Sequence, residues 1–232
     1  MQSFFVDALT QGRARLSDED ARHLLKSLRM APGDHVALAV DGRRYEAQLQ
    51  LEGTVLYAQA LHELPGTEPR ARITLYQALC KGDKMDSIVQ KATEIGVHAV
   101  QPCLMSRCVS RWEGGEKKLS RWQRIAREAA VQSGRGIIPQ VRDCLRFDQL
   151  CQALPQHQQA LVPWEQGGLP LATAYQGAQD MALIIGPEGG ISEGEIEQLK
   201  ATAVTLGPRI LRAETAGLVA AAMLLQLAGD MQ

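Results

Sequence analysis

The chain has no CxxC pair, no HxxxH or HExxH, no GxGxxG, no GxxxxGK[ST], and no apolar run near the about 18 residues that span a bilayer. Each absence removes a class of protein. Without CxxC, the odd set Cys80, Cys103, Cys108, Cys144 and Cys151 reads as reduced thiols used as small apolar filler. Without a ligand spacing among the histidines, no metal site is expected. The missing GxGxxG argues against a nicotinamide dehydrogenase, and the missing P-loop against a nucleotide hydrolase. The start, MQSFFVDALTQGRARL, lacks the basic, apolar and cleavage regions of a signal peptide. No membrane association is expected, and the cytoplasm is the expected location.

The chain also lacks a charge excess, with 25 Lys+Arg against 26 Asp+Glu for a net charge of −1. Its distribution is uneven. Between Cys103 and Arg146 stand Arg107, Arg111, Lys117, Lys118, Arg121, Arg124, Arg127, Arg135, Arg142 and Arg146, against only Glu113, Glu116, Glu128 and Asp143. A segregated basic stretch can contact phosphates even in a neutral chain, although a solvated helix face has the same composition.

What is present fits a globular protein: 232 residues, 45% apolar and 22% charged, enough to bury a core in one large or two smaller domains. The first part reads as mostly β. His35–Val40 runs into Asp41-Gly42, and Arg43 to Leu51 then alternates, which predicts a hairpin closed by a type I′ turn. Another strand is expected over Thr54 to Ala60. Ser17-Asp18-Glu19-Asp20 resembles a capping box for a short helix with Leu24, Leu25 and Leu28 turned inward and a basic stripe of Arg22, Lys26 and Arg29 opposite. Pro65 to Pro69 reads as a linker.

From Arg72 onward strands alternate with helices. Strands are expected at Ile73–Cys80, His98–Leu104, Gln159–Pro163, Met181–Ile185 and Ala203–Leu206. A helix should open at Asp83 as N-cap with Asp86 at N3, bury Met85, Ile88, Val89, Ala92 and Ile95, and end at Gly96. Helices over Lys118–Gln132 and Glu214–Ala228 follow. The alternation argues for an α/β domain with a mostly parallel sheet.

LIIGPEGGISEGE places a glycine-rich loop between an apolar strand and a capping box, where open parallel sheets bind ligands. Glu188 at its centre would repel a phosphate. A neutral or cationic ligand suits it better, and S-adenosylmethionine is a sulfonium without phosphates. On GPEGG alone, a tight turn packed against a neighbour is the simpler account.

Leu206-Gly207-Pro208-Arg209-Ile210-Leu211-Arg212-Ala213-Glu214-Thr215-Ala216 repeats the layout after the next strand. Together GPEGG and LGPRILRAETA resemble the cofactor-binding core of the SPOUT methyltransferases. HLLKSLRMAPGD, KGDKMDSIVQKATEIGV and RWQRIAREAAVQSGRGIIPQV narrow the resemblance to the RsmE family over nearly the whole chain. The resemblance departs at Ile191, where the family often has Phe, at Ala213, often Thr, and at Gln2-Ser3, where an Arg commonly precedes the Phe pair. The third departure weakens any N-terminal RNA contact.

The resemblance implies a SPOUT-type mostly parallel sheet with a C-terminal trefoil knot over 71–232, and a PUA-like RNA-binding β-barrel over 1–70. It further implies S-adenosylmethionine-dependent methylation of a uridine N3 in small-subunit ribosomal RNA, within the assembled or assembling 30S subunit, by a homodimer. Under it, Leu183, Gly186, Pro187, Glu188, Gly189, Gly190, Leu206, Gly207, Ile210, Leu211, Arg212, Thr215 and Ala216 are expected around the cofactor. Glu188 is the candidate proton acceptor or sulfonium partner. Arg212 is the candidate clamp on the uracil or a phosphate, unless it merely pairs with Glu188 or Glu214. Arg22, Lys26, Arg29, Lys84, Lys91, Arg107, Arg111, Arg124, Gln132 and Arg135 are the candidate RNA contacts, with Gln132-Ser133-Gly134-Arg135 the sharpest. The rivals are a SPOUT enzyme acting on another base or on transfer RNA, and a non-catalytic RNA-binding or ribosome-assembly protein.

Overall fold

The structure, a computed structural model, describes residues 1–231. They form two compact units, one built from Met1–Glu68 and Ala130–Ile138, the other from Pro69–Ala129 and Pro139 onward. No helix among the described residues is long and apolar enough to cross a membrane.

The first unit contains β1 (Ser3–Phe5), β2 (Arg13–Arg15), α1 (Asp18–Arg22), β3 (His35–Val40), β4 (Arg43–Glu52) and β5 (Val55–Glu63). They form a five-stranded sheet in the order β1-β3-β4-β5-β2, antiparallel except for the parallel pair β1–β3. The β3–β4 hairpin turns at Asp41 and Gly42, with φ of 50° and 77°, the left-handed pair that a type I′ turn requires. Alternation along these strands sends Val36, Leu38, Ala47, Leu49, Leu56 and Ala58 into one core with Phe4, Leu16 and Leu24.

The Ser17 hydroxyl caps α1, accepting from the Asp20 N–H at 3.0 Å. The expected leucine face does not form. Leu24 is fully buried, but Leu25 and Leu28 are 38% and 40% exposed. His23–Ser27 winds as a π-helix, the Leu28 N–H bonding to the His23 carbonyl at 3.0 Å. The wider turn rotates the two later leucines off the sheet.

The second unit follows the α/β pattern: β6 (Arg72–Ala78), α2 (Lys84–Ile95), β7 (Ala99–Cys103), α3 (Gly115–Ser133), β8 (Gln140–Val141), α4 (Phe147–Ala153), β9 (Gln159–Pro163), β10 (Leu169–Pro170), α5 (Leu171–Ala174), β11 (Asp180–Ile185), α6 (Glu193–Leu199), β12 (Thr202–Thr205) and α7 (Ala213–Leu227). All of α3 but its last turn belongs here, since residues from Ala130 cluster with the first unit. Seven strands run in the order β10-β12-β9-β11-β6-β7-β8, and every pairing is parallel. A parallel sheet covered on both faces explains the unbroken apolar runs; Ile73, Leu75, Leu161, Leu183, Ile184 and Val204 are all fully buried. The strands' carboxyl ends at β11, β9 and β12 are neighbours, so the loops after them converge.

Helix α2 buries Met85, Ile88, Val89 and Ala92 and ends at Gly96 with φ 112°, as its sequence predicts, while Ile95 is only partly buried. Its N-terminus differs. Asp83 is the N-cap residue, yet its side chain makes no capping bond. Asp86 instead accepts from Trp122 Nε1 at 3.0 Å and pairs with Arg121, so α3 supplies its partners.

Gly168, in the β9–β10 connection, lies so close to β12 that an added Cβ would sit 2.4 Å from the Ala203 carbonyl carbon and oxygen. Backbone cannot yield as a side chain would. Gly168→Ala is expected to cost about 2 kcal/mol, the range for overpacking, read as a lower denaturant midpoint at unchanged slope. An unchanged midpoint would mean the connection moves away freely.

Candidate cofactor and active site

The loop after β11 is a tight turn. The Gly190 N–H bonds back to the Pro187 carbonyl at 2.9 Å, and Gly190 has φ 74°. Ser192 then caps α6 with a reciprocal capping box, its side chain taking the Glu195 N–H while Glu195 takes the Ser192 N–H at 3.1 Å. From the neighbouring strand, Trp164 Nε1 donates to the Ile191 carbonyl at 3.3 Å, tying the loop after β9 to this one. The loop after β12, Leu206 to Arg212, completes a cavity of about 580 Å³.

Glycine keeps this cavity open. An added Cβ would stand 2.5 Å from Ile191 Cγ1 at Gly186, and 2.1 Å from Glu165 Oε1 at Gly190. The backbone here therefore comes as close to its neighbours, and to a ligand, as only glycine permits.

Glu188 Oε1 accepts from the Lys81 N–H at 3.1 Å and from Lys84 Nζ at 3.0 Å, and Lys84 Nζ is 3.3 Å from Glu214 Oε2. Burial pushes the Glu188 carboxyl up, but the hydrogen bonds from Lys84 and the backbone outweigh it and hold the group below the usual carboxylate range. Lys84 is pushed up in turn, chiefly by its bond to Glu188. Two carboxylates on one ammonium make a locally negative spot that suits a cationic group, in a cavity whose wall also carries Glu165, Arg209 and Arg212. Among the described residues, no group of three His, Cys, Asp or Glu is placed to hold a metal ion.

Most residues expected around a cofactor line this cavity: Gly186, Pro187, Glu188, Gly189, Gly190, Leu206, Gly207, Ile210, Leu211, Arg212 and Ala216. Leu183 and Thr215 do not. Leu183 is fully buried in mid-sheet opposite Leu75 and Leu161, and Thr215 sits exposed on the first turn of α7. Ile210 is 84% exposed on the cavity rim. The Arg212 side chain is exposed, and both carboxylates open to it face Lys84 instead.

The expected RNA contacts scatter. Arg22, Lys26, Arg29, Arg111, Arg124 and Gln132 are exposed. Lys91 is exposed and paired with Glu94, and Arg124 has Glu128 at 3.9 Å. Arg107 donates to the Gly189 carbonyl at 3.1 Å, which puts it against the glycine loop. Lys84 belongs to the cavity wall. Arg135 is buried against Glu68. Sequence reasoning passed over Glu165 and Trp164. Their signal was the apolar β9 running into WEQGG, the same strand-then-glycine layout as β11.

Glu195 anchors the loop from below. It is 6% exposed and accepts from the Ser106 N–H at 2.7 Å and the Ser192 hydroxyl at 2.9 Å. Burial raises its carboxyl, yet the bonds from Ser106 and Ser192 hold it below the usual range. The stability it contributes is therefore present above the ordinary carboxylate pKa and lost as pH falls through the depressed one. Glu195→Gln is expected to lose about 2 kcal/mol at neutral pH, with the gap to wild type closing in acid. Denaturant midpoints at the two pH values test this; a pH-independent gap would contradict it.

Comparison with known proteins agrees with this architecture. An RNA methyltransferase domain model matches residues 67–225, and an RNA methyltransferase PUA domain model matches 16–54. The ribosomal RNA small subunit methyltransferase E of Bacillus subtilis is 33% identical, covering 95% of this chain and 94% of the relative. A Neisseria gonorrhoeae ribosomal RNA small subunit methyltransferase E, solved bound to S-adenosyl methionine, is 34% identical with a TM-score of 0.85 over 98% of both chains. A Legionella pneumophila structure in complex with the same cofactor is 29% identical with a TM-score of 0.82 over 96% of both. The fold and the glycine-lined cavity thus define an RNA methyltransferase domain joined to a PUA domain. Within that class, the chain belongs to the ribosomal RNA small subunit methyltransferase E family.

Proposed function

We propose that this chain methylates N3 of a uridine in small-subunit ribosomal RNA, using S-adenosylmethionine. The observation that carries the reading is the glycine-walled cavity at the ends of β11, β9 and β12, with the locally negative Glu188–Lys84–Glu214 cluster at its wall. The residues present fit that cofactor: close backbone approach at Gly186 and Gly190, apolar Leu206, Ile210 and Leu211 for the adenine, and carboxylates for the charge. When bound, S-adenosylmethionine supplies an electrophilic methyl group on a positively charged sulfur.

The chain's part is to bind, orient and exclude water. N3 lies on the pairing edge of uracil, so the target base must be unpaired or turned out before it can enter. Attack by nitrogen needs no cysteine nucleophile, in keeping with five free cysteines of which the first two are buried. Glu188 acts as electrostatic partner of the sulfonium rather than as base, because a depressed carboxyl is a poor proton acceptor near neutrality. Arg212, exposed at the start of α7, meets the uracil or a phosphate. Exposed Arg22, Lys26, Arg29, Lys91, Arg107, Arg111, Arg124 and Gln132 are the phosphate and shape contacts.

The reading extends to a PUA-like RNA-binding module over 1–70 and a methyltransferase domain over 71–232 carrying a trefoil knot. It includes a homodimer acting on the 30S subunit or its precursor in the cytoplasm. Incubating the protein with small subunits from a strain lacking the modification, then mapping the product by mass, tests the activity. A methyl group on another base or on transfer RNA would overturn the uridine assignment, and no cofactor binding by calorimetry would leave a non-catalytic RNA-binding protein. Light scattering tests the dimer.

A further inference from the structure

Three segments distant in sequence meet at Lys84. It is the first residue of α2, Glu188 comes from the loop after β11, and Glu214 from the first turn of α7. Its ammonium stands 3.0 Å from Glu188 Oε1 and 3.3 Å from Glu214 Oε2, and its side chain lines the cavity. Glu214 Oε2 is shut off from solvent and forms no well-aligned hydrogen bond, so the charge of Lys84 is what compensates it. An ammonium has three N–H donors, and the two carboxylates occupy at most two. One donor is left on a cation whose position is fixed from two sides.

We propose that Lys84 is a catalytic residue of the methyl transfer: its remaining N–H donates to a carbonyl oxygen of the target uracil and stabilises the charge that develops there. The inference rests on the uridine-N3 reading above. Uracil N3–H is a weak acid, neutral at pH 7, and its nitrogen lone pair is a poor nucleophile until the proton leaves. When the N–H bond breaks, its electron pair stays on the ring and spreads onto the flanking carbonyl oxygens, and the proton passes to solvent water. A fixed cation at one of those oxygens favours this ionisation. The ring nitrogen then forms the N–CH3 bond as the C–S bond breaks, its pair returning to sulfur. Glu188 and Glu214 are positioning residues for Lys84. With both ionised, the three side chains sum to one negative charge, which the sulfonium balances. Arg209 and Arg212 also line the cavity, but it is Lys84 that Glu188 and Glu214 hold in place.

The test is the pH dependence of single-turnover methylation of unmodified small subunits by the full chain, in wild type, Lys84→Gln and Lys84→Arg. Calorimetric binding of S-adenosylmethionine is measured alongside. In wild type the rate should rise with pH and level off where the bound uracil is fully ionised. Lys84→Gln should slow the reaction at neutral pH on the order of 100-fold and move the rise upward by about one pH unit or more. Lys84→Arg should recover part of both, and cofactor binding should be retained in all three. Rate loss in Lys84→Gln that is equal at every pH, or that tracks lost cofactor binding, overturns the proposal and leaves Lys84 as a clip between two carboxylates. If Lys84→Gln fails to fold, an unshifted profile in Lys84→Arg with full rate at every pH also overturns it, because a bulkier, fixed-geometry donor cannot occupy the same position unchanged. A wild-type chain that methylates no small-subunit uridine sinks the methyltransferase reading itself, and the proposal with it; a shift absent beside an active wild type sinks the proposal alone.

Discussion

Arg135→Ala is expected to lower stability by about 3–5 kcal/mol, the cost of breaking a buried charge pair from one side. Arg135 is 4% exposed, and its Nε lies 3.2 Å from Glu68 Oε2. The same carboxylate accepts from the Gly136 and Ile137 N–H groups at 2.9 and 3.2 Å, and Thr67 donates to the Gly134 carbonyl at 2.9 Å. The Glu68 side chain keeps only 18% of its exposure. Without Arg135 its charge would remain where water reaches poorly. Glu68→Gln should cost less, because the amide oxygen still serves the two backbone donors and no buried anion is stranded. Denaturant midpoints for both variants check the ordering. A stable Arg135→Ala protein that instead loses ribosomal RNA binding would return Arg135 to the RNA surface.

Arg135 also marks where the sequence stopped being legible. Its position after a basic helix, beside Gly134, carries the same local signal as a phosphate contact, and nothing local names Glu68, 67 residues earlier. Signals confined to a few residues survived in the structure: Asp41-Gly42 closing the hairpin, Gly96 ending α2, and Ser192 with Glu195 opening α6. Those that depend on a distant partner did not. Asp86 fits a helix first turn by spacing, but its partners come from α3. Lys84 reads as one more surface cation until β6 and β11 pair in parallel and bring the Lys81 to Lys84 turn to Glu188. Leu25 and Leu28 differ for another reason: the helical period of 3.6 that would turn them inward is interrupted by a π-turn. The strand order β12-β9-β11-β6 has no local signature, so the convergence of three loops on one cavity appears only in three dimensions.

Glu188→Gln separates the two roles open to the carboxylate at the centre of GPEGG. The substitution keeps the oxygen that accepts from Lys81 and Lys84 and removes only the charge. If Glu188 were the proton acceptor, its ionisation would shape the rate, and the variant would lose the acidic limb of the pH profile along with nearly all turnover. The depressed carboxyl argues otherwise, since a group ionised throughout the working range has no titration to contribute there. The expected result is therefore S-adenosylmethionine binding weaker by about tenfold, or about 1.4 kcal/mol, with the single-turnover rate at saturating cofactor largely kept and its pH profile unchanged in shape, because the charge that Glu188 faces disappears as the methyl group leaves sulfur. The neutral product S-adenosylhomocysteine should bind the variant nearly as well as wild type, because only the sulfonium feels the missing charge. Equal losses for both ligands would mean that Glu188 shapes the loop through its bond to the Lys81 N–H. Unchanged binding of both ligands in the variant would remove it from the site altogether, leaving Lys84 and Glu214 as its polar core.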